Sequence, residues 1–144
     1  MPILFDSSIY ISALWTGGNV ALRLQRWARE SPLWLSSVVL EELYAGATRN
    51  GYRILEKLER DFERAGRVLV PNLGDWTPAG RVLARLAEKY GYGRIGQARL
   101  TNDALIATSG GRADITVITV NQRDFARLAE FCSLHWEVRA VRGS

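Results

Sequence analysis

Short apolar runs alternate with amphipathic stretches along the whole chain. Ile3-Leu4-Phe5 opens it as a strand, and Ser7 or Ser8 starts a helical stretch that Gly17 and Gly18 interrupt. Asn19, a good N-cap, restarts a helix that reaches Ala28. Leu33-Trp34-Leu35 reads as a second strand, and Ser36 or Ser37 caps a helix over 38–47. Ile54, Leu55, Leu58 and Phe62 recur at helical spacing, which predicts a charged helix over 52–65 with one apolar face. Val68-Leu69-Val70 is a strand that stops at Pro71, and Asp75 or Thr77 precedes Pro78 and a helix through Val82, Leu86 and Tyr90. Thr101 starts a helix that ends near Gly110-Gly111. A strand over 115–119, a short helix over 124–131 and a last strand over 136–140 complete the chain.

Strands that alternate with helices imply a parallel sheet covered on both faces. Residues 115–120 are β-branched or apolar throughout, as a strand buried on both faces should be. The expected fold is therefore α/β, a three-layer α/β/α arrangement around a mostly parallel sheet. No linker or repeat divides it, so residues 1–144 are read as a single domain. With 144 residues, 47% of them hydrophobic, the chain can bury one sizeable core.

Composition removes several kinds of chemistry. No stretch approaches the roughly 18 apolar residues of a membrane span, and no signal peptide is read at the start. Cys132 is the one cysteine and His135 the one histidine. A lone cysteine fits a reducing cytoplasm, and the pair is too small for a closed structural zinc site. His135 reads as a tail residue without a catalytic role. Net charge is +4, and only Lys57 and Lys89 are lysines. Arginine suits phosphate and bases, although solvated helix faces account for the bias equally well.

The chemistry lies in four acids at the edges of hydrophobic segments. Asp6 directly follows the first strand, where open α/β sheets bind ligands; capping the next helix is its structural alternative, a task Ser7 or Ser8 does as well. Glu42 competes with Glu41, and Glu42 lies closer to the face defined by Val39, Leu40, Leu43 and Tyr44. Asp103 is expected in the first turn of its helix, where an acid also complements the helix dipole. Asp124 follows the strand that ends at Thr119, with Asn121 in the turn between them. Asp114 precedes that strand and belongs to the opposite end of the sheet. Gly91-Tyr92-Gly93-Arg94-Ile95-Gly96 matches a dinucleotide-binding pattern, but that fingerprint follows a strand and this one follows a helix.

Four motifs stand in order: the strand with Asp6-Ser7-Ser8, Glu42-Leu43 with Gly46, Asn102-Asp103-Ala104-Leu105-Ile106-Ala107, and Thr119-x-Asn121-x-x-Asp124-Phe125. Together they resemble the PIN domain, and within it the VapC toxins of type II toxin–antitoxin systems. The resemblance implies a Mg²⁺- or Mn²⁺-dependent endoribonuclease, with tRNA as the family expectation. The implied products carry a 5′-phosphate and a 3′-hydroxyl. It implies a VapB-like antitoxin as partner and a homodimer. By the same resemblance Asp6 and Asp103 match the core metal ligands and Glu42 the third acid, orienting the attacking water as general base. Asp124 is either the fourth acid or a support for the site, because Asn121 stands where some PIN proteins carry an acid. Arg112 or Arg123 is a candidate contact to the RNA backbone, and Trp15 a candidate for base stacking. A catalytically silent RNA- or protein-binding module on the same fold is the alternative. A phosphoacceptor receiver domain is a weaker one, since both lysines lie in helices.

Overall fold

The computed structural model describes residues 1–16, 26 and 29–139, with side chains in the first helix described as far as residue 12. The expected helix over 19–28 apart from Arg26, the side chain of Trp15 and the end of the last strand at Ala140 lie outside the described residues. Among the described residues, five strands and six helices follow one another as β1 (Ile3–Phe5), α1 (Ser7–Thr16), β2 (Leu33–Ser36), α2 (Ser37–Ala45), α3 (Arg49–Ala65), β3 (Val68–Leu69), α4 (Leu73–Tyr90), α5 (Arg94–Arg112), β4 (Thr116–Thr119), α6 (Gln122–Ala129) and β5 (Trp136–Val138).

The sheet has the order β3-β2-β1-β4-β5, and every pairing is parallel. All four residues of β4 are buried, because helices cover both faces and leave no polar side to the strand. The result is the expected three-layer α/β/α fold. Leu4, Phe5, Leu35, Val117 and Ile118 from the sheet meet Ile9, Val39, Leu43, Ile106, Phe125 and Leu128 from the helices in one core. No helix among the described residues is long and apolar enough to cross a membrane.

Chain order determines where a site can form. From β1 the chain moves outward to β2 and β3, then returns through α4 and α5 to pair β4 with the other side of β1. The strand order therefore reverses between β1 and β4, and the crevice beyond their carboxyl ends is the usual ligand position in such sheets. Phe5 pairs with Ile118. The next residues, Asp6 and Thr119, consequently leave the sheet side by side.

Several expected boundaries move. Helix α4 begins at Leu73, five residues before Pro78, because Asn72 and Asp75 form a reciprocal capping box there. Helix α5 begins at Arg94, well before Thr101. The glycine-rich segment is thus only a short turn, followed by good helix formers such as Gln97, Ala98, Arg99 and Leu100. That turn follows helix α4, which removes the dinucleotide-binding alternative. On α3 only Leu55 is buried, and Ile54 is 54% exposed despite its place in the apolar pattern.

Candidate active site

Asp6 is 3% exposed and is surrounded by donors. Its Oδ1 accepts the backbone N–H of Ser7 at 2.7 Å and the Ser7 hydroxyl at 3.4 Å. Its Oδ2 accepts the Ser8 hydroxyl at 2.9 Å and the Thr119 hydroxyl at 2.8 Å. The parallel register delivers Thr119 to this carboxylate, and the start of α1 delivers the two serines. Thr119 Oγ1 also accepts the N–H of Asn121 at 2.9 Å, which ties the β4–α6 turn to the same group.

Glu42 projects from α2, which touches both α1 and α5. It is half-buried, whereas Glu41 is exposed and accepts a hydrogen bond from the Asn102 amide at 3.2 Å. Burial raises the Glu42 carboxyl above its usual range, and the negative charge of Asp6 adds to this. Ser7 and Asn102 pull it part of the way back. Glu42 Oε1 is buried and has no hydrogen-bond partner. Buried polar atoms are satisfied in the great majority of cases, so an orphan oxygen on an acid is a meaningful exception. A small cavity of about 160 Å³, lined by Ile11, Glu42, Leu43 and Gly46, opens beside it.

Asp103 lies in the middle of α5, not in a first turn as expected, because the helix starts nine residues earlier. It is therefore out of reach of the helix N-terminus, whose field fades within the first turn. Its carboxyl is pushed up to about 8, by burial first and then by the charges of Asp6, Glu42 and Asp124, with Arg99 opposing. Three acids from α2, α6 and the end of β1 thus bear on a fourth from α5. Like charges gathered in a poorly solvated place disfavour one another's ionisation.

Asn121 and Asp124 form a unit. Asn121 is the N-cap of α6, and its Oδ1 accepts the Asp124 N–H at 3.4 Å. Its amide donates to Asp124 Oδ2 at 2.9 Å. The amide thereby orients the acid, and Asn121 rather than Asp124 caps α6. Asp114 sits before β4 at a positive φ of 56° and faces His135 at 3.4 Å.

Arg112 does not belong to this place. It ends α5, beside the amino end of β4, and its Nε lies 2.8 and 2.9 Å from the two carboxylate oxygens of Asp75. Asp75 is fully buried. Burial alone would raise its carboxyl, but the Arg112 hydrogen bond, the Asn72 N–H and the Arg112 charge together bring it below the usual range. Arg112 is thus committed to a structural ion pair. Arg123 is exposed in the first turn of α6, next to Asp124.

A buried acid at the strand-order reversal, flanked by acids from α2, α5 and α6, accompanies a match of residues 3–131 to the PIN domain family profile. The chain belongs to the PIN domain family. Among curated protein sequences none matches it significantly. Solved structures similar to this PIN domain include VapBC2 from Rickettsia felis bound to a promoter DNA fragment, at 22% identity over 97% of this chain and 100% of that one, with a TM-score of 0.68. DNA-bound VapBC from Salmonella typhimurium is 22% identical over 96% of this chain and 98% of that one, with a TM-score of 0.66. VapBC-5 from Mycobacterium tuberculosis, a member of the VapBC family of toxin–antitoxin systems, is 24% identical over 96% and 98%, with a TM-score of 0.56. These likenesses establish a shared fold.

A divalent cation suits this PIN domain by donor chemistry. All four acids offer hard oxygen ligands, Glu42 keeps an oxygen free, and the repulsion around Asp103 is what a cation would relieve. As placed, no three His, Cys, Asp or Glu side chains among the described residues stand close enough together to grip one. Ser8 and Thr119 belong to the sequence motifs, but their role as donors to Asp6 appears only in the fold. Thr119 ends a β-branched strand one residue past Ile118, the register partner of Phe5, and this sets its hydroxyl beside Asp6.

Proposed function

We propose that this PIN domain is a Mg²⁺- or Mn²⁺-dependent endoribonuclease, the toxin of a toxin–antitoxin pair, and that it cleaves tRNA to leave a 5′-phosphate and a 3′-hydroxyl. The observation that carries the reading is the meeting of Asp6, Glu42, Asp103 and Asp124, drawn from four elements, at the strand-order reversal, with Glu42 Oε1 buried and unpartnered. Folding alone gives no reason to gather four acids from four elements. PIN domains of the VapC kind are nucleases, and the folds it resembles come from VapBC assemblies.

In this reading Asp6 and Asp103 hold the cation. When bound, it would lower the pKa of a water and neutralise charge on the phosphoryl oxygens. Glu42, with its free Oε1, takes the proton of the attacking water and aims it at phosphorus. Asp124, steadied by Asn121, is the fourth acid at the rim. Ser7, Ser8 and Thr119 keep Asp6 from rotating. Arg123 draws the RNA backbone toward the acids. Residues 1–144 act as a single domain in the cytoplasm, as a homodimer silenced by a VapB-like antitoxin.

The test is induced expression of the wild type beside Asp6→Asn and Asp103→Asn. Growth arrest with new 5′-phosphate RNA ends is expected from the wild type alone. Equal toxicity from soluble variants would sink the mechanism. A silent binding module on this fold would show neither cleavage nor a shift in melting temperature with Mn²⁺.

A further inference from the structure

The acid cluster poses a problem for its own substrate. A polyanion approaching four carboxylates is repelled unless cations sit beside them. Most cations with visible partners are committed elsewhere. Arg112 is bound to Asp75. Lys89 bonds Glu130. Arg127 lies 4.1 Å from the centre of the Tyr90 ring and bonds the Tyr92 hydroxyl. Arg99 differs from these. It is exposed, and among the described residues it takes part in no salt bridge. It stands one helical turn before Asp103 on α5.

One turn earlier again comes Ile95, which is 88% exposed. Residues 95, 99 and 103 are four apart, so they form one stripe along α5. At 1.5 Å per residue the stripe is about 12 Å long. It runs from an exposed apolar side chain, past a free guanidinium, into the acids.

We propose that this stripe is the docking track for single-stranded RNA: Arg99 clamps the phosphate next to the one being cut, and Ile95 meets the following base. A guanidinium offers a planar pair of N–H donors that fits a phosphate bidentately. Unpaired bases present flat apolar faces that side chains can cover. A protein partner is the poorer match, because a lone isoleucine is far smaller than the roughly 800 Å² that a stable protein interface covers on each side. The inference rests on the ribonuclease reading and specifies its substrate contacts.

The experiment measures binding of a short, fluorophore-labelled, mixed-sequence single-stranded RNA across a salt series. All proteins carry Asp103→Asn so that the RNA stays intact. Arg99→Gln is expected to weaken binding several-fold and to flatten the plot of log affinity against log salt by about 0.7, the loss of one phosphate contact on a single strand. Arg99→Lys should restore the slope. Ile95→Ser should weaken binding and leave the slope unchanged. Arg60→Gln, on exposed α3, should change neither. Unaltered affinity and slope in Arg99→Gln would overturn the track while leaving the ribonuclease reading intact, and weakened antitoxin binding in that variant would assign Arg99 to a protein interface instead. If the Asp103→Asn parent fails to bind RNA and the wild type fails to cut it, both readings fall.

Discussion

At the residue scale, Thr119 is the buried link between the first acid and the fourth. Its hydroxyl donates to Asp6 at 2.8 Å and accepts from Asn121 at 2.9 Å, so one atom couples the first acid to the turn that carries the fourth. Thr119→Val keeps the shape and removes both bonds. Groups that orient metal-binding carboxylates typically matter by about 10–100-fold in metal affinity or activity. RNA cleavage by Thr119→Val should fall in that range, measured with folded protein at saturating Mn²⁺, whereas Thr119→Ser should stay near wild type. Normal cleavage by Thr119→Val would show that Asp6 needs no support from β4. The acids themselves were legible as candidates because each stands at the edge of a hydrophobic segment. Their supports were less so. A threonine closing a buried strand looks like any β-branched residue, and only the pairing of Phe5 with Ile118 reveals what it faces. Asn121 was ambiguous in the same way, since capping and orienting an acid both suit an amide.

At the element scale, α5 carries the largest difference between expectation and structure. Its start was obscured because Gly91, Gly93 and Gly96 read as a loop, yet only Gly91 adopts a left-handed conformation, at φ 72°. Gly96 sits inside the helix, where intrinsic preference is weak and contacts with α4 prevail. At its other end α5 has a real need for glycine. A Cβ on Gly111 would lie 2.0 Å from the backbone oxygen of Ser133, and one on Gly110 would lie 3.1 Å from Val117. The chain leading to β5 therefore crosses against bare backbone. Gly111→Ala should destabilise the protein by about 1–3 kcal/mol or more, the scale of overpacking a well-filled interior. Gly80, inside α4, offers the contrast, since a Cβ there would meet nothing within 4 Å. Gly80→Ala should be neutral or stabilise by about 0.5–1 kcal/mol through the helix preference of alanine. Denaturant melts of the two variants check the pair, and a Gly111→Ala protein as stable as wild type would mean that β5 is not held against α5. The parallel sheet was legible from alternation alone, whereas the strand order and this close crossing depend on contacts between distant segments that no local pattern records.

At the scale of the whole molecule, two carboxyls set opposite limits on stability. Asp75 is held below the usual carboxylate range, so its contribution is present above about pH 4 and is lost as pH falls through its lowered value. Asp103 is raised to about 8, so the folded state binds a proton that the unfolded chain has already released. Its contribution is full below about pH 4 and is lost as pH rises toward 8. Glu42, also raised, acts in the same direction. Metal-free protein should therefore be most stable in mildly acidic solution and melt at progressively lower temperature up to about pH 8. A divalent cation binds the ionised acids, so the stabilisation it provides should grow over that same interval and flatten or reverse the decline. Asp103→Asn gives the internal check. An amide cannot ionise, so this variant should lose most of the alkaline decline without metal, melt above wild type near pH 8, and respond less to Mn²⁺. Melting curves in chelator and in Mn²⁺, collected between pH 4 and pH 8 for both proteins, distinguish this from a generic charge effect, because every titrating group except Asp103 is common to both. A wild-type melting temperature that stayed level across the interval in chelator would mean that the four acids do not crowd one another, and the case for a cation among them would lose its physical basis.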